Sequence, residues 1–281
     1  MIQVNQLQFS YTKQPFIEHV DFSVASGEIF GFLGPSGAGK STLQKILTGL
    51  IPRYGGSVVV DGEEVKSHGP RFFEKIGVDF EFPSLYEKLT ARENLRFFAS
   101  LYPKHREIDA LLESVGLLRD ADKKVGDYSK GMKSRLNFIK ALLHDPQILF
   151  LDEPTSGLDP SNARVMKDLI LAEQAKGKTI LLTTHNMYDA TELCERVAFI
   201  VDGGLRALDS PRNLIMRRGA AKVTFTYLEN GSERSAETPL TQTAQDETLQ
   251  KLLRENRLRS IHSGEPTLND IFVELTGRQL Q

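Results

Sequence analysis

The stretch GPSGAGKST, residues 34–42, constrains this chain more than any other. It fits the pattern G-x-x-x-x-G-K-S/T and stands between an apolar run, IFGFL, and a helix-like stretch over residues 40–50. Glycines in such a turn let successive backbone N–H groups curl round one phosphate. The helix that follows adds the partial positive charge of its N-terminus. Gly34, Pro35, Ser36, Gly37, Ala38, Gly39, Lys40, Ser41 and Thr42 are therefore the candidate phosphate-binding set. Lys40 is spaced to reach the β- and γ-phosphates of a nucleotide, and Ser41 to ligate Mg²⁺. A strand feeding a helix through this loop also sets the fold class, α/β with a P-loop NTPase core.

The rest of the chain agrees. The 281 residues, 40% of them hydrophobic, suit one large or two modest domains. Residues 2–9 and 16–24 show strand-like alternation, and residues 55–65 read as a short β segment between turns. The runs ILFLDE (148–153) and TILLTTH (179–185) are rich in β-formers, with a helical pattern at 164–174 between them. That is the look of buried parallel strands joined by helices. Residues 90–143 are helical in pattern, broken at Pro103, Gly116 and Gly126. Near Pro211 the character changes. Residues 222–235 carry an Asn-Gly hairpin signal, 248–255 a polar helix, and 265–277 an amphipathic helix with Leu268, Ile271, Phe272 and Leu275 on one face and Gly277 as its stop. The expected division is a domain over 1–214, its helical part at about 88–147, and a small appended α/β domain over 215–281.

A net charge of −2 gives no reason to expect nucleic acid as partner. The single cysteine, Cys194, excludes an internal disulfide and fits a reducing compartment. MIQVNQLQFSY has no basic-then-apolar leader pattern, and no run approaches the roughly 18 apolar residues of a membrane span. Work at a membrane would need a span from another chain.

Further motifs carry chemistry. LFLDEP (149–154) is an apolar strand ending in two acids. Beside a phosphate loop, Asp152 is placed to hold Mg²⁺ through water, and Glu153 to orient a water for in-line attack. Alone, such a pair would be a cap or a surface pair. In YSKGMKSRL (128–136), Ser129 is a natural N-cap, and Met132, Leu136, Ile139 and Leu143 form a helical stripe. This is a second helix N-terminus with a hydroxyl and a flexible glycine, hence either a second anion site or an ordinary capped helix. SGLDP (156–160) follows the acid pair, and TTH (183–185) ends the next strand with His185 at the same sheet edge.

Taken together, GPSGAGKST, YSKGM, ILFLDEP, SGLD and TTH, in that order, resemble the ATP-binding cassette of ABC transporters over roughly residues 1–215. The resemblance implies a core with an antiparallel β subdomain and a helical subdomain, ATP and Mg²⁺ as cofactors, and a head-to-tail pair of cassettes. In such a pair, Ser129 and the Gly131 backbone of one chain would meet the γ-phosphate held by the other, and Asp159 would help join the two sites. Glu153 resembles the family's general base, His185 its γ-phosphate contact, and Tyr11, in FSY, its adenine-facing aromatic; Tyr11 could equally be plain packing. Lys130 and Met132 replace the family's commoner Gly and Gln, which suggests tuning of the site.

One stretch departs more sharply. In IGVDFEFPSLY (76–86), Val78, Phe80 and Phe82 alternate with Asp79 and Glu81, so the expected strand has an apolar face and an acidic face. Asp79 reads as a strand-end surface or turn acid. Glu81 aligns with a family glutamine that contacts Mg²⁺ and water, and would bring up to three carboxylates, with Asp152 and Glu153, near one metal. It could keep that role and meet a basic partner residue, or be a solvated loop acid. Phe82, Leu85 and Tyr86 are candidates for a partner-docking groove.

The expectation is an ATP-hydrolysing subunit of an ABC exporter, at the cytoplasmic face of the membrane, working with a second cassette, expected to be a second copy of this chain, and integral membrane permease subunits. The tail EPTLNDIFVELTG resembles the C-terminal extension of cassettes serving drug- or antibiotic-type exporters. The alternatives are a soluble cassette ATPase acting on nucleic acid or ribosomes, and a regulatory nucleotide-binding module without turnover.

Overall fold

Alternating burial along the first strands produces a half-buried antiparallel sheet, while the uninterrupted apolar runs further on form a sheet covered on both faces. The computed structural model describes residues 1–81, 84–218, 222–229, 231–264 and 266–277. In chain order the elements are β1 (Ile2–Phe9), β2 (Ile17–Val24), β3 (Ile29–Leu33), α1 (Lys40–Leu47), β4 (Gly55–Val60), β5 (Glu63–Glu64), α2 (Phe72–Lys75), β6 (Ile76–Asp79), α3 (Ala91–Ala99), α4 (Ile108–Ser114) and α5 (Lys130–Ala141). Then come β7 (Ile148–Asp152), α6 (Pro160–Ala175), β8 (Thr179–Thr184), α7 (Met187–Leu193), β9 (Arg196–Val201), β10 (Gly204–Asp209) and α8 (Pro211–Arg218). The last are β11 (Lys222–Glu229), β12 (Ser232–Pro239), α9 (Glu247–Arg254), β13 (Leu258–Gly264) and α10 (Leu268–Thr276).

The strands form sheets of order β2-β1-β4-β5, β10-β9-β3-β8-β7-β6 and β12-β11-β13. In the second sheet β3, β7 and β8 are buried at every residue and pair in parallel, with Leu33 opposite Thr184 and Asp152 opposite Thr183. That register brings the loops after three strands to one carboxyl edge, the place where open parallel sheets bind ligands. A continuous core joins the first two sheets. Ile2, Val4 and Val20 from the antiparallel strands pack in one cluster with Phe30, Phe32, Leu43, Phe150 and Leu181.

The chain divides into two compact units, Met1–Leu208 and Asp209–Leu280. The expected boundary at 214/215 falls inside α8 (Pro211–Arg218). The second unit has its own small core of Val223, Phe225, Leu249 and Leu252 under a three-stranded antiparallel sheet. Its β11–β12 hairpin pairs Glu229 with Ser232, and Gly231 there adopts a left-handed φ of 79°; the Asn230 of the Asn-Gly signal lies outside the described residues. α10 starts on a Thr267 capping box and stops at Gly277, whose φ of 65° suits only a residue without Cβ strain. No helix among the described residues is long and apolar enough to cross a membrane.

Candidate functional site

A cavity of about 250 Å³ opens at the carboxyl edge of the parallel sheet, lined by Phe16, Ser36, Gly37, Gly39, Lys40, Ser41, Thr42, Glu81, Glu153 and His185. The loop from β3 to α1 forms its floor. Gly37 and Gly39 take φ of 80° and 109°, the left-handed turn that aims amide groups inward. At Gly34 the restriction is space, since a Cβ would lie 2.2 Å from the Ile200 carbonyl oxygen. Pro35 and Ala38 complete the turn, with the Ala38 N–H donating to the Pro35 carbonyl at 3.2 Å.

Lys40 is buried. Its Nζ donates to the carbonyls of Gly34 (2.7 Å) and Pro35 (3.2 Å) and lies 3.8 Å from Glu153 Oε1. Burial lowers its pKa, and the charges of Glu153, Asp152 and Glu81 act against that lowering. Ser41 Oγ donates to Asp152 Oδ1 at 3.4 Å, and the Thr183 hydroxyl donates to the same oxygen. A hydroxyl and a carboxylate held together beside a phosphate loop are hard oxygen donors of the kind Mg²⁺ takes, with water and phosphate filling its remaining positions.

Glu153 carries the strain of the site. It sits at φ 52°, a left-handed backbone costing a non-glycine residue about 1 kcal/mol or more. Its N–H donates to the Thr183 carbonyl (2.9 Å), and its own carbonyl accepts from the Ser156 N–H (3.0 Å). Held in that turn, its Oε1 lies 2.9 Å from His185 Nδ1, and its Oε2 accepts from the His185 N–H at 3.4 Å. The arrangement is a carboxylate fixed between a histidine and a lysine at the mouth of an anion cradle, suited to positioning and deprotonating a water beside a terminal phosphate.

Other residues singled out in the sequence lie apart from this cavity's lining. The Tyr11 ring is exposed, its hydroxyl shares a 2.9 Å hydrogen bond with Thr42 Oγ1, and it packs edge-on against Phe9 and Phe16. Phe16, which the sequence reading passed over as one apolar residue of a strand, is the aromatic on the cavity wall. Ser129 is exposed and caps α5, accepting from the Met132 N–H at 3.2 Å. Gly131 next to it is buried against Asn162, which a Cβ would meet at 2.8 Å. Asp159 caps α6 through the N–H groups of Ser161 and Asn162, each at 3.1 Å.

The acidic stretch requires a correction. β6 ends at Asp79, an edge strand of four residues, and Asp79 is buried, not a surface acid. α5 covers it: Asn137 Nδ2 donates to Asp79 Oδ1 and to the Phe80 carbonyl (3.3 Å). Burial, opposed by Lys140 and by the Asn137 hydrogen bond, pushes the Asp79 carboxyl up to about 7. Glu81 is exposed and lines the cavity, but no group of three or more acids or histidines among the described residues is arranged to hold a metal. Asp152 accepts from Ser41 and Thr183, Glu153 pairs with Lys40 and His185, and Glu81, exposed on the cavity wall, acts with both of them on the Lys40 charge. Phe82 lies outside the described residues; Tyr86 is exposed and packs edge-on against Phe97 at 5.1 Å.

Asp79 is expected to make the fold's stability depend on pH. A carboxyl whose folded pKa stands above its unfolded value binds more protons folded than unfolded between the two. Stability therefore falls as pH rises from about 4 to about 7 and is level beyond. Asp79→Asn removes that slope and gains on the order of a few kcal/mol relative to the parent at pH 8. Urea unfolding at pH 5 and pH 8 without added Mg²⁺ measures it; parallel slopes for parent and variant would be inconsistent with a buried, proton-binding Asp79.

Residues 17–156 match the family model described as ABC transporter. The chain is 51% identical over 284 residues to a fluoroquinolones export ATP-binding protein of Mycobacterium tuberculosis, covering all of this chain and 94% of the relative. The chain belongs to the ABC transporter family. A Nod factor export ATP-binding protein I of a Rhizobium species is 37% identical, over 97% of this chain and 95% of the relative. A solved ATP-binding subunit of an ABC transporter superposes with a TM-score of 0.70 at 30% identity, over 77% of this chain and 92% of that one. This ABC protein is an ATP-binding and ATP-hydrolysing subunit, and the cavity between the phosphate loop and Glu153 is where such chemistry fits.

Proposed function

We propose that this ABC ATPase powers export through separate integral membrane permease subunits, at the cytoplasmic face of the membrane, by closing head to tail with a second cassette over bound ATP. One observation carries the reading. Lys40, Ser41, Glu153 and His185 converge on one cavity, while Ser129, the cap of a second helix end, is exposed and lies outside that cavity's lining. A second chain can bring its own Ser129 and the Gly131 backbone to the γ-phosphate, with Asp159 beside the junction. The nucleotide then supplies contacts that exist only in the closed pair, which is what a ligand needs to drive closure.

Within each site the loop of residues 34–42 cradles the β- and γ-phosphates, and Lys40 exchanges its carbonyl partners for phosphate oxygens. Ser41 and Asp152 would hold Mg²⁺, with Glu81 of the cavity wall as a further carboxylate for it; the ion would supply charge neutralisation of the phosphates. The Glu153 carboxylate orients the attacking water and accepts its proton, and His185 holds that carboxylate and meets the γ-phosphate. Phe16, and Tyr11 on its edge, form the aromatic wall for the base. The export names of both relatives support export as the direction of transport, and their nearly full-length match includes the C-terminal unit.

Mixing two inactive variants tests the shared site. Lys40→Ala disables a chain's own cradle and Ser129→Arg blocks the cap it offers its partner. Each alone is expected to lose nearly all turnover. Mixed in equal amounts they form pairs with one intact site, and phosphate release returns to about a tenth or more of the parent rate. Should the mixture stay as inactive as its parts while pairing is verified, sites shared between two copies are ruled out.

A further inference from the structure

We infer that Asp189, through Thr155, is a positioning residue that sets the geometry of the Glu153–His185 pair. Glu153 follows β7 and His185 follows β8, so their loops are neighbours in space but unconnected in sequence. The Thr155 hydroxyl, two residues beyond Glu153, donates to Asp189 Oδ2 at 2.7 Å. The Asn186 side-chain amide, one residue beyond His185, donates to the same oxygen at 3.0 Å. One carboxylate oxygen thus holds a residue within two positions of each member of the pair.

The anchorage is rigid for physical reasons. Thr155 and Asp189 are both buried, so their hydrogen bond is shielded from water and costly to break. Asn186 is also the N-cap of α7, accepting from the Tyr188 and Asp189 N–H groups at 3.0 and 3.2 Å, which fixes where the helix carrying Asp189 begins. Lys167 of α6 lies 3.3 Å from Asp189 Oδ1, giving the buried carboxylate its counter-charge. Glu153 needs such support, because its left-handed backbone would relax if the turn after it were free. Neither Thr155 nor Asp189 lines the phosphate-loop cavity, so their effect passes through the residues they hold.

This inference rests on the proposed role of Glu153, and the test separates the two. In the full chain, Thr155→Val, which keeps the shape and deletes the hydroxyl, is expected to lower kcat about tenfold or more. KM for ATP and the stoichiometry of nucleotide binding stay within about twofold of the parent. Thr155→Ser, which restores a hydroxyl, recovers kcat to within about threefold of the parent. A purely structural contact would instead lower binding stoichiometry and kcat together. If Thr155→Val does not fold, Asp189→Asn is the second readout, with a several-fold loss of kcat at unchanged stoichiometry. Unchanged kcat in the folded variant, or equal losses of kcat and nucleotide binding, overturns the inference. Glu153→Gln run in parallel identifies which idea failed. If it stops turnover while Thr155→Val does not, only the positioning role falls; if it leaves turnover intact, both fall.

Discussion

Glu153→Gln is expected to cut steady-state ATP hydrolysis about 10³-fold while ATP binding becomes equal or tighter. The substitution is nearly isosteric. A glutamine Oε1 still accepts from His185, and the turn at φ 52° is no harder for glutamine than for glutamate. What disappears is the charge, and with it a cavity-lining carboxylate held by both Lys40 and His185. General bases contribute about 10²–10⁴ in rate, so a loss in that range is the mark of a proton acceptor. Binding moves the other way because removing one negative charge relieves repulsion of the phosphates; charges about 4 Å apart repel by roughly 1–4 kcal/mol in high to intermediate dielectric. A variant that binds ATP and cannot spend it should also accumulate as an ATP-dependent pair, visible as a shift in sedimentation. A loss of less than about tenfold would remove Glu153 from the proton-accepting role.

The parts of the molecule that could be read from sequence are those where one local rule suffices. The phosphate loop was legible because its glycines, its lysine and its flanking strand and helix all answer to a single ligand. ILFLD and TILLTT declare themselves by runs of β-forming, mostly apolar residues, and every residue of both is buried. What stayed hidden depends on pairing between distant segments. RVAFIV before Asp-Gly-Gly is a strand-and-turn pattern, but nothing local says which strand it joins; as β9 it pairs directly with β3 beneath the phosphate loop. β13 is mostly exposed and has little apolar signal, and it owes its place to its partner β11. Asp79 is buried where the sequence points to a surface acid, because period-two alternation assigns faces but not coverings. The alternation put the acid opposite the apolar residues, and α5 then covered that side with Asn137. The Thr155–Asp189–Asn186 anchorage has no sequence signal at all, since its hydrogen bonds join residues up to 34 positions apart.

Lys40→Ala is expected to weaken ATP binding by about 10²–10³-fold and to leave no measurable turnover. The size follows from what surrounds the ammonium. Lys40 is the lysine of the cavity lining among the described residues, facing Glu153 at 3.8 Å, with Asp152 and Glu81 also acting on its charge. Take it away and a nucleotide bearing several negative charges must enter a site whose remaining side-chain charges are largely acidic. At an effective dielectric of about 20, one lost attraction at 4 Å is about 4 kcal/mol, and water entering the space returns part of it. The loop suffers as well, because the Gly34 and Pro35 carbonyls lose the donor that pins them at 2.7 and 3.2 Å. Lys40→Arg keeps the charge and tests shape: a planar fork does not fit where a compact ammonium bridges two carbonyls, so it should restore less than about a tenth of the affinity. Equilibrium titration with a fluorescent ATP analogue, alongside phosphate release, separates the two losses. An alanine variant that binds within about threefold of the parent would mean that backbone amides and the helix end hold the phosphates without the lysine, and the cavity's charge balance would then be set by its acids.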